Sequence, residues 1–209
     1  FDLFSLLPGQ PWFQQPASEM RQIKVCAISG QRVSSNCEST NSIWVTSKGL
    51  QTQPCEYHKK IHLTKDEKFQ VNLNCEKAER IHSVNWFVLP PVQEYYFRTK
   101  NLSYKPLPPI RSDCGGGARL VAMDLVYPKP GASIFIPREL DGSPGLVLFQ
   151  AAHRSSSSTI YWHLDGEYIG FTKKTHHLSL SAASGVHSLT LVDDDGEILT
   201  QSFTILSDP

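Results

Sequence analysis

The sequence predicts a mainly β protein. Short runs of β-branched and aromatic residues recur through the second half of the chain, with turn residues about every 8 to 12 positions. Two of these runs are joined by Asp165-Gly166, and Asp195-Gly196 marks another tight turn; Asp-Gly pairs are typical of two-residue hairpin turns. Residues 9–117 contain no long amphipathic helical stretch. The elements are therefore expected to be strands and irregular segments.

Residues 118–209 are predicted to form an immunoglobulin-like β-sandwich. The expected strands lie at residues 120–126, 133–136, 146–151, 159–164, 167–172, 176–180, 186–192 and 197–206. About eight short strands with this turn spacing are typical of such a sandwich. Ile160, Trp162 and Leu164 alternate along one strand, so they share a face, which we expect to point into the core.

The preceding segment, residues 21–117, is predicted to be an irregular connector domain rich in cysteine and proline. Its end, residues 105–117, contains three prolines and three glycines, which places a domain boundary near Gly117. Residues 1–20 are expected to be a tail and linker. Residues 1–7 are mostly apolar and precede Pro8 and Gly9, as at the end of a helix whose body lies upstream. We therefore expect the chain to be a fragment.

The charge balance argues against some functions. Lys plus Arg and Asp plus Glu each number 20, so the net charge is zero. A protein that holds nucleic acid or a polyanionic surface usually carries a basic excess. The sequence also lacks a run of about 18 apolar residues, so it predicts no membrane span.

The five cysteines all lie within the first 114 residues and have two interpretations. In an exported protein they would form disulfides, whereas in the cytosol they would more often be metal ligands. Cys55 and His58 form a C-x2-H pair that suits zinc, but no second closely spaced pair completes such a site. The residues favour disulfides and leave the zinc site open as an alternative.

Catalytic motifs are missing from the sequence. It contains no G-x-S-x-G, S-x-x-K or K-T-G pattern, so we predict no catalytic residue. The acidic run at residues 193–197 lacks the spacing of a calcium loop and is interpreted as a turn between strands. Tyr161, His163 and Tyr168 are predicted on the outer surface or at an edge of the sandwich, where they would contact a partner or a glycan.

Motifs in both halves resemble one bacterial family. The first half carries VCAISG at residues 25–30, Asn36-Cys37, Gly49 and PCEYH at residues 54–58. This order resembles the region after the transpeptidase domain of class A penicillin-binding proteins, although the usual Gly-Thr-x-Pro is replaced by a longer Gly49-to-Pro54 stretch. Residues 1–8 resemble the closing helix of that transpeptidase domain.

The second half carries Tyr127-Pro128, Gly131-Ala132, WHLDGEYIG at residues 162–170, Gly185-Val186-His187 and Val192-Asp193. These motifs resemble the C-terminal domain of the penicillin-binding protein 1C type. The resemblance implies a non-catalytic accessory module of a bifunctional glycosyltransferase and transpeptidase that builds peptidoglycan for the cell wall. The parent would be anchored in the inner membrane, and this fragment would lie in the periplasm without a cofactor.

The resemblance also implies disulfides and partners. Relatives with fewer cysteines usually keep the pair matching Cys37 and Cys55, so a Cys37–Cys55 bridge is the first choice, with Cys75–Cys114 as a further pair. The expected partners are the parent transpeptidase domain, peptidoglycan or another envelope protein, such as an α2-macroglobulin-like protein. A glycan-binding module is the alternative function, and a zinc-dependent enzyme using Cys55 and His58 is a third hypothesis.

Overall fold

A computed structural model describes residues 16–115, 120–137, 140, 142 and 145–206. The predicted closing helix at residues 1–7 and the predicted boundary at Gly117 lie outside these residues. The strands are β1 (Arg21–Cys26), β2 (Thr40–Val45), β3 (His58–Leu63), β4 (His82–Phe87), β5 (Met123–Tyr127), β6 (Ser133–Ile134), β7 (Val147–His153), β8 (Thr159–Leu164), β9 (Glu167–Lys173), β10 (His177–Leu180), β11 (Gly185–Asp193) and β12 (Ile198–Ile205). The α-helix among the described residues is α1 (Pro91–Lys100), and it is too short to cross a membrane.

The chain divides into two compact units. Unit 1 contains the described residues 16–61 and 83–87, and unit 2 contains residues 62–82 and the described residues from 88 onward. In unit 1, β1 pairs antiparallel with β2 over their whole length. Most residues of β3 and β4, which form another two-stranded sheet, also belong to unit 1.

Two sheets in unit 2 form the predicted sandwich. One has the strand order β10-β7-β5, and the other has the order β6-β12-β11-β8-β9. Their pairings are antiparallel, except that β6 runs parallel to β12. The buried core between the sheets consists of Met123, Leu125, Ile134, Val147, Phe149, Ala151, Ile160, Trp162, Leu189, Leu191, Phe203 and Ile205. The mainly β prediction with a sandwich in the second half is confirmed.

The hairpin between β8 and β9 has the predicted tight turn. Asp165 and Gly166 have φ angles of 51° and 86°, and a type I′ turn requires positive φ at both central positions. The Asp165 carboxylate then accepts the backbone N–H of Ser188 at 2.8 Å and lies 2.7 Å from His187 Nδ1. The turn is thereby tied to the neighbouring strand β11.

The acidic run after β11 also forms a turn, as the sequence predicted. Asp193 Oδ1 accepts the backbone N–H groups of Asp195 and Glu197 at 2.9 and 2.8 Å. Asp194 accepts the N–H of Thr159 at 2.8 Å. These carboxylates satisfy backbone donors where β8, β11 and β12 begin or end.

Unit 2 also contains α1, which the sequence did not predict. The helix begins at Pro91, where a missing backbone N–H costs nothing. Its buried Glu94 forms an ion pair with Arg154, whose guanidinium also donates to the carbonyl oxygens of Leu89 and Val121 at 2.6 and 2.7 Å. A buried charge stays stable only when it is paired and hydrogen-bonded. This network meets that requirement and holds the helix against the segments that contain Leu89 and Val121.

We expect the sandwich core to dominate the stability of unit 2. Leu189 is 0% exposed and Leu102 is 98% exposed, so L189A should lower the free energy of unfolding by about 2–5 kcal/mol. L102A makes the same chemical change at the surface and should stay within about 0.5 kcal/mol of the unmodified chain. Urea unfolding followed by tryptophan fluorescence measures both, and equal effects would contradict the core assignment.

Candidate metal centre

Four side chains of unit 1 converge on one point. They are Cys26, Cys37, Cys55 and His58, and they are called here the cysteine–histidine cluster. The ligand atoms of the cluster all lie within 4.8 Å of one another. His58 Nδ1 lies 3.5 Å from Cys26 Sγ, 3.7 Å from Cys37 Sγ and 3.4 Å from Cys55 Sγ. The geometry therefore groups three sulfur atoms around one imidazole nitrogen.

The backbone around Arg32 brings Cys26 and Cys55 together. Cys26 ends β1 and enters a turn closed by Gly30, whose φ of +72° suits a residue without Cβ. The chain returns so that Arg32 bridges to Val25, and the Arg32 carbonyl oxygen accepts the N–H of Cys55 at 2.7 Å. Two cysteines that are 29 positions apart are thus placed side by side by main-chain hydrogen bonds.

Cys37 and His58 are held by a separate contact. The side-chain amide of Asn36 donates to the carbonyl oxygen of His58 at 3.1 Å, which fixes the loop carrying Cys37 against the start of β3. The ring of His58 packs against Phe87 with centroids 5.1 Å apart. Cys26, Cys55 and His58 are buried, whereas Cys37 is half-buried.

Hydrogen bonds from two serines reach the sulfur atoms. The backbone N–H of Ser29 donates to Cys26 Sγ at 3.4 Å, and its hydroxyl donates to Cys55 Sγ at 3.2 Å. The backbone N–H of Ser34 donates to Cys37 Sγ at 3.4 Å. Donors of this kind favour the deprotonated thiolate, which is the form that binds metals.

The electrostatic environment differs between the ligands. Burial raises the pKa of Cys26, but hydrogen bonds with Ser29, the Ile28 backbone and Cys37 together outweigh it and hold this pKa below its ordinary value. Burial raises the pKa of Cys37 despite its hydrogen bonds with Ser34. Burial also lowers the pKa of His58, against an opposing effect of Glu38. His58 is therefore held in the neutral form that can act as a ligand.

The predicted Cys37–Cys55 disulfide is not present. Both residues are free thiols, and their sulfur atoms lie 3.7 and 3.4 Å from His58 Nδ1. The sequence had paired Cys55 with His58 in the alternative zinc site, and the structure brings this pair together with two further cysteines. Cys26 and Cys37 were not predicted as members of this site, because their positions in the sequence give no sign that they lie beside Cys55 and His58.

The disulfide of the described residues joins Cys75 to Cys114 in unit 2, with a sequence separation of 39. Arg111 donates to the carbonyl oxygen of Cys75 and forms ion pairs with Glu76 and Asp113. The five cysteines are thus divided into a bonded pair in unit 2 and three thiols in unit 1.

The predicted contact residues lie together on the outer surface of the β8–β9 hairpin. Tyr161 and Tyr168 are exposed, and the ring of His163 lies 5.5 Å from that of Tyr168. A β-bulge shifts the register of the pairing of β8 with β9 between Trp162 and His163. As a result Phe171 lies opposite Tyr161, and the centroids of their rings are 6.4 Å apart. These four residues are called here the aromatic face. Phe171 was missed because simple alternation does not place Tyr168 and Phe171 on one face.

The cysteine arrangement predicts a definite oxidation state for the purified chain. Because one disulfide and three thiols are present, the mass of the denatured, non-reduced chain should be two hydrogens below that of the fully reduced chain. Alkylation in denaturant without reductant should label three cysteines, and peptide mapping should place them at Cys26, Cys37 and Cys55. A mass four hydrogens low would contradict this arrangement.

Comparisons with known proteins address the second half of the chain. Residues 117–203 match the model of the Penicillin-Binding Protein C-terminus Family. A solved structure of Clostridium thermocellum CbhA fibronectin(III)-like modules is similar at 21% identity, covering 41% of this chain and 95% of that one, with a TM-score of 0.31. No curated protein sequence matches the chain. Residues 117–203, which contain most of the sandwich, are therefore similar to the C-terminal domain of penicillin-binding proteins.

Proposed function

We propose that the chain is a non-catalytic accessory module of a bifunctional, class A peptidoglycan synthase of the penicillin-binding protein 1C type. The match of residues 117–203 to the penicillin-binding protein C-terminus carries this proposal. The motifs at residues 25–58, which resemble the region after a transpeptidase domain, support it for the first half. In this proposal the parent enzyme performs glycan polymerisation and peptide cross-linking, and this module lies in the periplasm.

The surroundings of the side chains that could act as a nucleophile or a base support a non-catalytic role. In the sandwich, the Thr172 hydroxyl lies 3.1 Å from His176 Nδ1, which superficially resembles a nucleophile next to a base. The same hydroxyl oxygen accepts the indole N–H of the core residue Trp162 at 2.8 Å, and His176 is buried. This group therefore satisfies the buried indole. The thiols of unit 1 face His58 in a similarly enclosed arrangement.

The module is proposed to act through contacts with the parent transpeptidase domain. The resemblance supports this partner, since its motifs stand directly after that domain in the family. A module of this kind would position the synthase relative to the growing wall. Its effect would be measured on the whole enzyme, because the residues that carry the chemistry belong to other domains.

The aromatic face favours glycan binding as a second candidate. Tyr168 and Phe171 are 56% and 61% exposed, and Tyr161 lies beside them. Exposed rings in a row offer apolar surfaces on which sugar rings can stack. Trp162 takes no part because it is fully buried, whereas Trp44 in unit 1 is exposed.

Covalent labelling with a fluorescent penicillin tests the non-catalytic assignment. The 209-residue chain should remain unlabelled under conditions that label a full-length synthase, because labelling requires an activated serine. In the full-length parent, deleting residues 118–209 should lower cross-linking in vitro while leaving penicillin labelling intact. Labelling of the isolated chain would overturn the proposal, and so would unchanged cross-linking after the deletion.

Sedimentation with purified peptidoglycan separates the two candidates. If the aromatic face binds glycan, the chain should co-sediment, and F171A should weaken this binding by about tenfold, since each 1.4 kcal/mol changes affinity tenfold. F135A removes another half-exposed phenylalanine outside the aromatic face and is the matched control. A chain that stays in the supernatant would exclude the glycan candidate and leave the protein partner.

A further inference from the structure

We propose that the cysteine–histidine cluster binds one Zn²⁺ ion and that this ion is structural, holding unit 1 together. The proposal rests on the geometry of unit 1 and is independent of the proposed accessory function. The residues of unit 1 lie outside the stretch that matches the penicillin-binding protein C-terminus.

The distances within the cluster match those of a tetrahedral zinc site. Zinc lies about 2.3 Å from a cysteine sulfur and about 2.0 Å from a histidine nitrogen. At a tetrahedral angle these two bonds separate sulfur from nitrogen by about 3.5 Å. The three observed separations from His58 Nδ1 are 3.4, 3.5 and 3.7 Å. The three sulfur–nitrogen separations are therefore those expected for ligands that share one zinc ion.

Hydrogen bonding among these groups does not account for the same arrangement. The Nδ1 atom of a neutral imidazole either donates one proton or offers one lone pair. It can therefore form one good hydrogen bond, whereas three sulfur atoms surround it at nearly equal distances. A cation that accepts an electron pair from each of the four atoms explains all three contacts together.

The ligand types select the metal and its role. Three thiolates and one imidazole in a tetrahedral arrangement suit zinc, which prefers sulfur and nitrogen ligands. Catalytic zinc sites generally keep one position open for water, whereas structural sites have four protein ligands. Because the cluster supplies four ligands, the geometry points to a structural site and does not favour the zinc-enzyme hypothesis.

The interior of unit 1 supplies an independent reason for a metal. The buried residues among those described in this unit are Val25, Cys26, Cys55, His58 and Ile61. Three of these five belong to the cluster, so little apolar surface remains to stabilise the fold. Small domains with so small a core usually depend on a metal or a disulfide.

Zinc binding balances without a redox step. The three thiols release three protons to solvent, and the sulfur lone pairs and the neutral His58 nitrogen form four bonds to the ion. Zn²⁺ with three thiolates has a net charge of −1. The N–H groups of Ser29 and Ser34 point at two of the sulfur atoms and offset this charge.

The experiment uses the 209-residue chain produced and purified under mild reducing conditions without chelator. Elemental analysis should find one zinc per chain, and a competition titration should give a Kd of about nanomolar or tighter. Replacement by Co²⁺ should give the visible bands of tetrahedral coordination and an intense thiolate-to-cobalt absorption in the near ultraviolet. A folded chain without zinc that takes up neither ion would overturn the proposal.

One single and one double variant test the ligand assignment. C37S changes the most exposed of the four ligands and should reduce zinc retention at least about tenfold, because three ligands remain. The double variant C75S/C114S removes two cysteines outside the cluster and should keep one zinc per chain with an unchanged cobalt spectrum. Full zinc retention by C37S, or loss of zinc in a folded C75S/C114S chain, would overturn the assignment.

Chelation tests the structural role and does not require a variant. Removing zinc with a strong chelator should expose unit 1 to limited proteolysis within residues 21–61, and adding zinc back should restore its protection. The sandwich of unit 2 should stay protected in both states, because its core does not include the cluster. Unchanged protection of residues 21–61 after complete removal of zinc would contradict a structural ion.

Discussion

The fold of unit 1 depends on the cysteine–histidine cluster, in which three sulfur atoms surround the Nδ1 atom of His58. This unit has two short two-stranded sheets and few buried apolar side chains, so strand pairing alone gives it little stability. The hydrogen bonds through Arg32 and Asn36 bring the four ligands together from distant parts of the sequence. The loops of this unit are consequently fixed by hydrogen bonds and by the proposed metal ligands, whereas a larger domain would be stabilised by a hydrophobic core.

Unit 2 is stabilised in a different way. Trp162, Phe149 and Phe203 are fully buried between the two sheets, and turns at the strand ends are held by hydrogen bonds that the Asp165 and Asp193 carboxylates accept. These contacts explain the structural roles of residues in the sequence motifs that resemble the penicillin-binding protein family. Trp162 fills the core, and Asp165-Gly166 forms the turn with positive φ angles. His187 contacts the Asp165 carboxylate and holds that turn in place.

The sequence was most informative where structure is local. The strands of the sandwich and its tight hairpin follow from alternation and from Asp165-Gly166, both of which act over a few residues. The cysteine–histidine cluster could be predicted only in part. Cys55 and His58 are close in sequence, but Cys26 and Cys37 join them through a chain path that no spacing rule reveals.

Two other features, helix α1 and the position of Phe171, were not predicted from the sequence because contacts beyond the local pattern determine them. Helix α1 depends on the buried pair between Glu94 and Arg154, which are 60 positions apart, and its sequence lacks a clear apolar stripe. The position of Phe171 depends on the bulge, which alternation does not show. In the first case a long-range ion pair, and in the second an irregular strand pairing, determines a structure that the local sequence pattern does not predict.

The bulge in β9 has a consequence for how the protein behaves at high concentration. β9 is the last strand of its sheet, so its outer side is a row of backbone groups that another chain could extend. The extra residue beside Gly170 breaks the regular spacing of these groups and twists the strand. A second copy would therefore find no straight edge to continue. The hairpin can present exposed aromatic rings without acting as a template for aggregation.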